Sequence, residues 1–500
     1  MDRGHRQTRA VVALGILLAC CACAFALDPS LDINQYAHTA WKIREGFSRG
    51  AIYSIAQTPD GYLWLGTGFG LLRFDGVRNV PWQPPQGQHL PPGTIRRLLV
   101  ARDGTLWIGA DKGLASWKSG QLTDYPGLAG QFVFALLEDR EGIIWVGSTG
   151  IPAGKLCAVH KGSVHCYSPD GGFGIGVFAF YEDSKGNLWA GVQTGVWRWK
   201  PGPPKFYSLP GELDGIQAIC EDADGALLIV WKGGIYRFDD GKTEAYSLGN
   251  ISLQLRVKRL LRDRNGGLWI GTQSRGLIHV HQGRADVFLP NDGLSGEDVY
   301  TLFEDGEGDI WVSTVDGLDR FREFAVATST VNQGLSQALV GSVLANRDGS
   351  VWLATRDGLN RWEHGKIAIP RTGSAKRDGK LNGSDPDSLF QDDRGRIWVS
   401  TLRELGYLEN GHFTAINSVP GGNTLSITQD TAGNVWVINE HVGLFRISPQ
   451  NDVREIPWAD LGHKDHASVL AADRRQGGLW IGFFLGGIAY FSDEIGRAHV

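Results

Sequence analysis

One short motif recurs eleven times along the chain and constrains its fold more than any other feature. Each copy has a turn that contains aspartate and glycine, then an aliphatic residue, a tryptophan and another aliphatic residue, then a glycine before a further apolar segment. The copies are 38 to 46 residues apart, and Leu228 replaces the tryptophan of the fifth copy. The ten landmark tryptophans are Trp64, Trp107, Trp145, Trp189, Trp269, Trp311, Trp352, Trp398, Trp436 and Trp480.

A repeat of this length with several short strands per copy is typical of a β-propeller blade. The sixth copy shows strand-like segments at 255–261, 267–272 and 276–280, and a weaker one at 285–288. We expect the aspartate to cap its turn through the side chain, and the glycine to take the positive φ that closes the turn. The sequence therefore predicts an all-β chain of tandem β-propellers.

The number of copies predicts the domains. Seven is a common number of blades for a closed ring, and seven copies precede residue 326. We predict a signal peptide over 1–26, a complete seven-bladed propeller over 27–326 and a second, incomplete propeller of about four blades over 327–493. Residues 494–500 fit no part of the repeat and match the translation of common sequencing-adapter DNA. We therefore interpret them as a non-native tail and expect the natural chain to continue.

The first residues have the pattern of an export signal. Three arginines precede an apolar run over 11–26, and small residues come just before Leu27. The run is short for a membrane span. We predict export to the periplasm with the mature chain starting near Leu27; an acylated Cys20 and an uncleaved N-terminal anchor are the alternatives.

The charge balance argues against two classes of partner. The formal net charge is −5 over 500 residues, with 49 Lys and Arg against 54 Asp and Glu. Neither a basic nucleic-acid footprint nor a polybasic membrane patch is present. We predict no nucleic-acid partner, and membrane contact only through the leader or a missing C-terminal part.

Two cysteines are predicted to form a disulfide. Cys157 and Cys166 lie on either side of Lys161-Gly162, and a two-residue hairpin loop there would place them opposite each other. An oxidising periplasm favours the bond. The alternative is a pair of reduced core thiols, and Cys220 is expected to be a plain core residue.

The landmark tryptophans have two interpretations. Each lies between aliphatic residues in a strand that should be buried on both faces, so its ring would pack between neighbouring blades. The alternative is a sugar-stacking platform. A position repeated in every blade favours packing, and we predict a structural role for these residues.

Two of the predicted innermost strands carry consecutive positively charged residues. When these strands are aligned on their turn glycines, most copies have aromatic or small residues, but the second and sixth have consecutive cations. We predict a ligand site in the channel, where the cations would hold an anionic group and tyrosines would face a sugar or another ring. Solvated channel lining, or ion pairs with the acidic turns, is the alternative. The proposed ligand-binding residues are Arg96, Arg97, Lys258, Arg259, Tyr53 and Tyr300.

Motifs for catalysis are missing from the sequence. It has no phosphate-binding loop and no His-Glu-x-x-His motif. His463 and His466 form only a weak metal pattern, and each acidic turn offers too few carboxylates for calcium. We therefore predict no catalytic residue, no metal site, no cofactor and no enzymatic activity of this chain.

The motifs as a set resemble the two-component regulator propeller repeats of bacterial sensors, most specifically over 36–41, 52–67 and 70–77. The resemblance covers nearly the whole mature chain. It implies about fourteen repeats in two seven-bladed periplasmic propellers, followed by an immunoglobulin-like domain, a membrane helix and a cytoplasmic histidine kinase, or in some members a diguanylate cyclase.

The resemblance therefore predicts the periplasmic ligand-sensing region of a transmembrane two-component signalling protein. It would bind an unidentified small molecule or glycan and transmit to a downstream kinase module. The resemblance also implies a homodimer, since sensors of this kind usually signal as dimers. Two alternatives remain open. One is a secreted propeller enzyme, such as a lyase or hydrolase of polysaccharides or antibiotics, and the other is a protein-interaction scaffold.

Overall fold

The structure, a computed structural model, is almost entirely β-strand and turn. It divides into two compact units, Met1–Ala327 and Thr328–Val500. The predicted all-β propeller fold is confirmed. The predicted signal peptide, Cys20, His463 and most of the predicted tail lie outside the described residues. The described residues are 27–29, 31–150, 153–167, 172–209, 215–249, 251, 255–324, 328–363, 365–370, 386–462, 465–492 and 498–499.

The first unit contains seven four-stranded antiparallel sheets. Its strands are β1 (Ala37–Lys42), β2 (Ile52–Gln57), β3 (Leu63–Thr67), β4 (Gly70–Phe74), β5 (Asn79–Trp82), β6 (Ile95–Val100), β7 (Leu106–Ala110), β8 (Gly113–Lys118), β9 (Gln121–Asp124), β10 (Phe132–Glu138), β11 (Ile144–Thr149), β12 (Lys155–His160), β13 (Ser163–Tyr167), β14 (Val177–Glu182), β15 (Leu188–Val192), β16 (Gly195–Lys200), β17 (Lys205–Ser208), β18 (Ile219–Glu221), β19 (Leu227–Trp231), β20 (Gly234–Asp239), β21 (Lys242–Ala245), β22 (Arg256–Arg262), β23 (Leu268–Gln273), β24 (Leu277–His281), β25 (Arg284–Phe288), β26 (Val299–Glu304), β27 (Ile310–Thr314) and β28 (Gly317–Arg322).

The sheets of this unit follow one another around a ring. In the first sheet the order is β2-β3-β4-β5, and the next five sheets repeat this order along the chain. The first strand of each sheet contacts the first strand of the next, and β26 of the seventh sheet contacts β2 of the first. The first strands are therefore innermost and surround the central channel of a closed propeller.

The seventh sheet is completed by the start of the chain. Its order is β1-β28-β27-β26, with β1 antiparallel to β28 from Ala37 opposite Arg322 to Lys42 opposite Gly317. The ring of Trp41 stacks on Trp311 with centroids 5.5 Å apart. A strand from the N-terminus thus joins the two ends of the ring, a connection that the repeat alone did not indicate.

The acidic turns cap themselves as predicted. In the third sheet Asp139 Oδ1 accepts hydrogen bonds from the backbone N–H groups of Glu141 and Ile143, at 2.9 and 3.0 Å. Gly142 takes a φ of 79°. The second carboxylate oxygen of Asp139 accepts a 2.7 Å hydrogen bond from Trp145 Nε1, so turn and tryptophan are joined. The same aspartate–tryptophan bond joins Asp183 to Trp189, Asp263 to Trp269, Asp305 to Trp311, Asp392 to Trp398 and Asp430 to Trp436.

The core lies between neighbouring sheets. One cluster, for example, combines Trp189 and Val196 of the fourth sheet with Ile229 of the fifth. All six landmark tryptophans of the first unit are buried, with at most 7% of their surface exposed. They therefore pack between sheets.

The third sheet contains a disulfide. Cys157 on β12 pairs with Cys166 on β13 across the hairpin, and the two are bonded. Lys161 and Gly162 form the turn with φ of 48° and 81°. Cys220 is a free, buried thiol whose pKa burial raises to about 12.

The second unit contains four sheets of the same kind, and their innermost strands contact one another in sequence. Within the described residues, no helix of either unit has the length and apolar character needed to cross a membrane. The strands are β29 (Val340–Ala345), β30 (Val351–Thr355), β31 (Gly358–Glu363), β32 (Lys366–Ala368), β33 (Pro386–Gln391), β34 (Ile397–Thr401), β35 (Leu405–Glu409), β36 (His412–Ala415), β37 (Thr424–Gln429), β38 (Val435–Asn439), β39 (Gly443–Ile447), β40 (Val453–Pro457), β41 (Ala467–Ala472), β42 (Leu479–Phe483), β43 (Gly487–Phe491) and β44 (Ala498–His499). The short 3-10 helices are Ile33–Gln35, Ile43–Glu45, Pro126–Leu128, Pro290–Asp292, Val331–Gln333 and Trp458–Leu461.

Candidate functional site

Four of the six predicted ligand residues lie at β-bulges of innermost strands. The register of β2 against β3 skips Tyr53, and that of β6 against β7 skips Arg96. Lys258 on β22 and Tyr300 on β26 are skipped in the same way. A bulge changes the direction of a side chain relative to a regular strand. Repetition of the bulge at one level of the ring explains why these positions align in the sequence.

The two tyrosines pack on each other. The rings of Tyr53 and Tyr300 stack with centroids 5.4 Å apart and planes inclined by 28°. The guanidinium carbon of Arg96 lies 4.7 Å from the centroid of Tyr53. The ring of Tyr53 is thus already in contact with two side chains of the protein. This arrangement does not favour the predicted use of that ring to stack on a sugar.

Arg96 is neutralised within its own sheet. Its Nε donates a 2.9 Å hydrogen bond to Asp111 Oδ1, and the other oxygen of Asp111 accepts the backbone N–H of Thr94 at 3.0 Å. Asp111 lies in the turn between β7 and β8. The ion pair agrees with the alternative interpretation of Arg96, in which the cation pairs with an acidic residue of the protein. Its partner, however, comes from a turn at the end of the sheet opposite the Asp-Gly turns.

Arg97 and Arg259 differ from Arg96 because their guanidinium groups donate hydrogen bonds to backbone carbonyl groups. Arg97 donates to the carbonyl of Arg96 at 3.3 Å, and Arg259 donates from Nε to the carbonyl of Tyr300 at 2.8 Å. A second guanidinium N–H of Arg259 donates to the carbonyl of Lys258 at 2.9 Å. In the part of the chain that the structure describes, neither guanidinium forms a salt bridge with a carboxylate.

The surroundings of Arg97 and Arg259 lower the pKa of both groups. Burial lowers the pKa of Arg97 well below its ordinary value, and the positive charges of Arg259 and Arg96 lower it further. Burial lowers the pKa of Arg259 to about 10. The positive charge of Arg259 on the sixth sheet thus disfavours the charged form of Arg97 on the second, and no carboxylate contributes to either shift.

A cavity of about 270 Å³ opens beside Arg259. It takes residues from the fifth, sixth and seventh sheets, so it lies at the end of the channel where the innermost strands begin. A larger depression of about 760 Å³ shares Asp298 with it and continues over the seventh sheet. The cavity is lined by Gln217, Lys258, Arg259, Gln273, Asp298, Val299 and Tyr300.

One group of potential metal ligands occurs among the described residues, where the sequence predicted none. His279 and His281 on β24 and Asp286 on β25 bring ligand atoms within 4.8 Å of one another. Both nitrogens of His281 are engaged, Nε2 with Asp286 at 2.8 Å and Nδ1 with the carbonyl of Pro29 at 3.1 Å. Binding a metal would break one of these contacts. The spacing of two residues on one strand was the sequence signal that could have indicated this group.

His279 itself has a packing role. Its ring stacks on Trp269 with centroids 4.2 Å apart, and it is fully buried. It pairs with Trp269 across β23 and β24, at the position where Arg73, Arg198 and Arg320 lie opposite the tryptophans of other sheets. Burial, with a smaller contribution from the neighbouring His281, lowers the pKa of His279 to about 3. It therefore packs as a neutral ring.

Comparison with known proteins gives a family and a fold. Four stretches, 46–69, 127–150, 252–274 and 293–316, match the family model of the two-component regulator propeller. No curated protein matches the chain. The extracellular domain of a hybrid two-component system from B. thetaiotaomicron is similar at 18% identity and a TM-score of 0.56, over 92% of this chain and 72% of that one.

Two further solved structures are more distant. The extracellular domain of a second hybrid two-component system from B. thetaiotaomicron has 16% identity and a TM-score of 0.49, over 92% of this chain and 71% of that one. An inactive variant of virginiamycin B lyase from Staphylococcus aureus has 14% identity and a TM-score of 0.47, over 58% of this chain and 100% of that one. At 18% identity and a TM-score of 0.56, the first of the three structures shows a shared fold and nothing finer. Four stretches of the chain match the family model, so the chain contains two-component regulator propeller repeats.

Proposed function

We propose that this chain is the periplasmic ligand-sensing region of a transmembrane two-component signalling protein. The observation that carries the proposal is the match of four of its repeats to the two-component regulator propeller. The name of its structural neighbour, an extracellular domain of a hybrid two-component system, supports the same cellular role. The arginine-rich start and apolar run over 1–26 support export.

The geometry suits a receptor better than an enzyme. A ring of sheets brings residues from distant copies to one channel, where a ligand that binds one arrangement more tightly than another shifts the balance between them. The channel holds cations and aromatic rings, with Arg96 on the ring of Tyr53 and Tyr53 on Tyr300. We expect the chain to bind rather than to catalyse, and a kinase or cyclase elsewhere in the full-length protein to supply the output.

The first test is the genomic reading frame. We expect the frame to continue past codon 500 through more propeller repeats and a membrane helix into a histidine kinase or diguanylate cyclase. Resequencing the locus from a long genomic read measures this directly. A stop codon directly after the second propeller, with no signalling gene beside it, would contradict the proposal and favour a secreted enzyme or scaffold.

The second test concerns export. β-Lactamase fused after residue 492 should confer ampicillin resistance on a bacterial host, because the enzyme protects the cell wall only from the periplasm. The same fusion without residues 1–26 should leave the host sensitive at an equal protein level. Equal resistance with and without these residues would show that they are not the export signal.

A further inference from the structure

We propose that the channel of the first unit binds a small polar molecule through one oxyanion group, a carboxylate, sulfate or phosphate, held by Arg97 and Arg259. The proposal deepens the sensing function, since it names the ligand class of that site. The binding itself, however, is a property of the chain that can be measured whatever domain follows it.

Contacts between neighbouring sheets connect the residues of the proposed site. Arg259 on the sixth sheet is bonded to the backbone of Tyr300 on the seventh. Tyr300 stacks on Tyr53 of the first sheet, and Tyr53 contacts Arg96 of the second. A continuous chain of contacts therefore links four sheets, from Arg259 to Arg96, the residue before Arg97. Arg97 and Arg259 each follow the bulge of an innermost strand and lie opposite the glycine of the second strand, so the closed ring places them at one level of the channel.

The positive charges of the proposed site have no salt bridge to compensate them in the described residues. Arg96 has Asp111 as its partner at 2.9 Å, whereas Arg97 and Arg259 have no salt bridge among the described residues. Both residues are partly buried, and two like charges drawn together away from water without a counter-charge are unfavourable. An anion between them would remove the repulsion and supply the missing acceptor. The native protein thus maintains an arrangement that an anion would stabilise.

The guanidinium donors and the cavity beside Arg259 indicate the chemistry of the ligand. A guanidinium offers a planar fork of N–H donors that fits carboxylate, sulfate and phosphate oxygens. The cavity beside Arg259 adds Lys258, and its volume of about 270 Å³ is suitable for a small molecule. Asp298 on the same wall would repel a second negative group. We therefore expect one oxyanion on an otherwise polar body, rather than an extended polyanion.

The experiment measures the response of the purified full chain to three probes: sodium glucuronate, sodium sulfate and sodium phosphate. Ionic strength is held constant with sodium chloride, because screening alone changes the stability of a charged protein. Thermal unfolding of the wild type should shift upwards with probe concentration, as mass action requires when a ligand binds only the folded state. Isothermal titration calorimetry gives the dissociation constant.

The test variants are R97Q and R259Q, and the matched control is R256Q, which removes the same charge from an exposed position on β22. We expect R97Q and R259Q to weaken binding by at least about tenfold, the effect of losing one charge-assisted hydrogen bond. R256Q should bind as the wild type does. Without a probe, R97Q should unfold at the same or a higher temperature than the wild type, because the mutual repulsion is gone.

The outcomes separate the ligand class from the proposed function. A response to glucuronate alone identifies a carboxylate, and a response to sulfate and phosphate alone identifies a tetrahedral anion; both support the site. The absence of any shift, or an equal shift in R97Q, R259Q and the wild type, overturns it. If the probes fail but the reading frame continues into a kinase, only the channel site is lost. If the probes bind but the frame encodes no signalling domain, only the sensing function is lost.

Discussion

At the residue scale, the aspartate of the turn and the tryptophan six residues later act as one structural unit. One carboxylate oxygen caps the turn and the other accepts the indole N–H, as in Asp183 and Trp189 at 2.8 Å. The second and eighth copies show what happens without the aspartate. Ala101 and Asn346 occupy its position, and the indole nitrogens of Trp107 and Trp352 have no hydrogen-bond partner in the described residues.

Asp183→Ala tests this unit. The change leaves the indole N–H of Trp189 and two backbone N–H groups of the turn without their acceptor in a buried place. We expect a loss of about 2–4 kcal/mol in the free energy of unfolding, measured by urea denaturation. Asp124→Ala, at an exposed site on β9, should change stability by less than about 0.5 kcal/mol. Equal losses in the two variants would show that the bond is dispensable.

The buried histidine of the sixth sheet predicts a pH dependence. Burial lowers the pKa of His279 to about 3 from an ordinary value of 6.5. The unfolded chain therefore takes up a proton below about pH 6.5 while the folded chain does not, so stability is complete above that pH and falls as the pH decreases towards 3. Each pH unit in this window should cost up to about 1.4 kcal/mol.

His279→Phe keeps a ring on Trp269 and removes the titrating group. We expect the variant to lose less stability than the wild type between pH 7 and pH 4.5, measured by urea denaturation at both values. His160→Phe, at an exposed position on β12, serves as the control and should keep the wild-type slope. An equal loss of stability in His279→Phe and the wild type between pH 7 and pH 4.5 would show that His279 does not cause the pH dependence.

The channel residues show which features of the candidate site could be predicted from the sequence. Arg96-Arg97 and Lys258-Arg259 stood out because they broke a repeated pattern of aromatic and small residues. Which arginine has an acidic partner could not be predicted, because Asp111 lies in a turn that the repeat does not constrain. The stack of Tyr53 on Tyr300 joins residues from the two ends of the ring, and only closure of the ring brings them together.

At the element scale, the strand that closes the ring is the part that the repeat could not predict. β1 pairs with β28 and completes the seventh sheet, yet its sequence lacks the Asp-Gly turn and the tryptophan between two aliphatic residues that mark each copy of the repeat. Its neighbours in space are residues from the end of the unit. The remaining strands were predictable because every copy repeats the same turn glycine and apolar triplet, and each hairpin is local in sequence.

Trp41→Ala tests the closure. The ring of Trp41 packs on Trp311 of the seventh sheet and on Phe74 of the first, at centroid distances of 5.5 and 5.2 Å. Its loss leaves a cavity at the junction between the first and last sheets, and we expect a cost of about 2–4 kcal/mol. The urea midpoint of the first unit measures it. Val80→Ala, on the exposed outer strand β5, should have little effect; a similar cost in both variants would show that the junction has no special role.

At the scale of the whole molecule, the two units differ in how their sheets are covered. Five of the seven second strands in the first unit contain a glycine, and residues of the next repeat cover it, as Ile95 covers Gly66 and Val133 covers Gly109. Gly482 on β42 meets Val469 of its own sheet instead. That face of the sheet is apolar and exposed in the described residues, and includes Trp480, with 45% of its surface accessible.

This exposed face predicts self-association of the 500-residue chain, because apolar side chains grouped on one sheet face gain free energy when another surface covers them. Val469 and Ile488 both lie opposite Gly482, at 55% and 64% exposure, so they share that face. We expect the double variant Val469→Lys, Ile488→Lys to sediment as a monomer at concentrations where the wild type forms larger species. Val77→Lys changes an equally exposed but isolated residue of the first unit and should leave the association unchanged. A wild-type chain that sediments as a monomer at all concentrations would show that the face does not drive association.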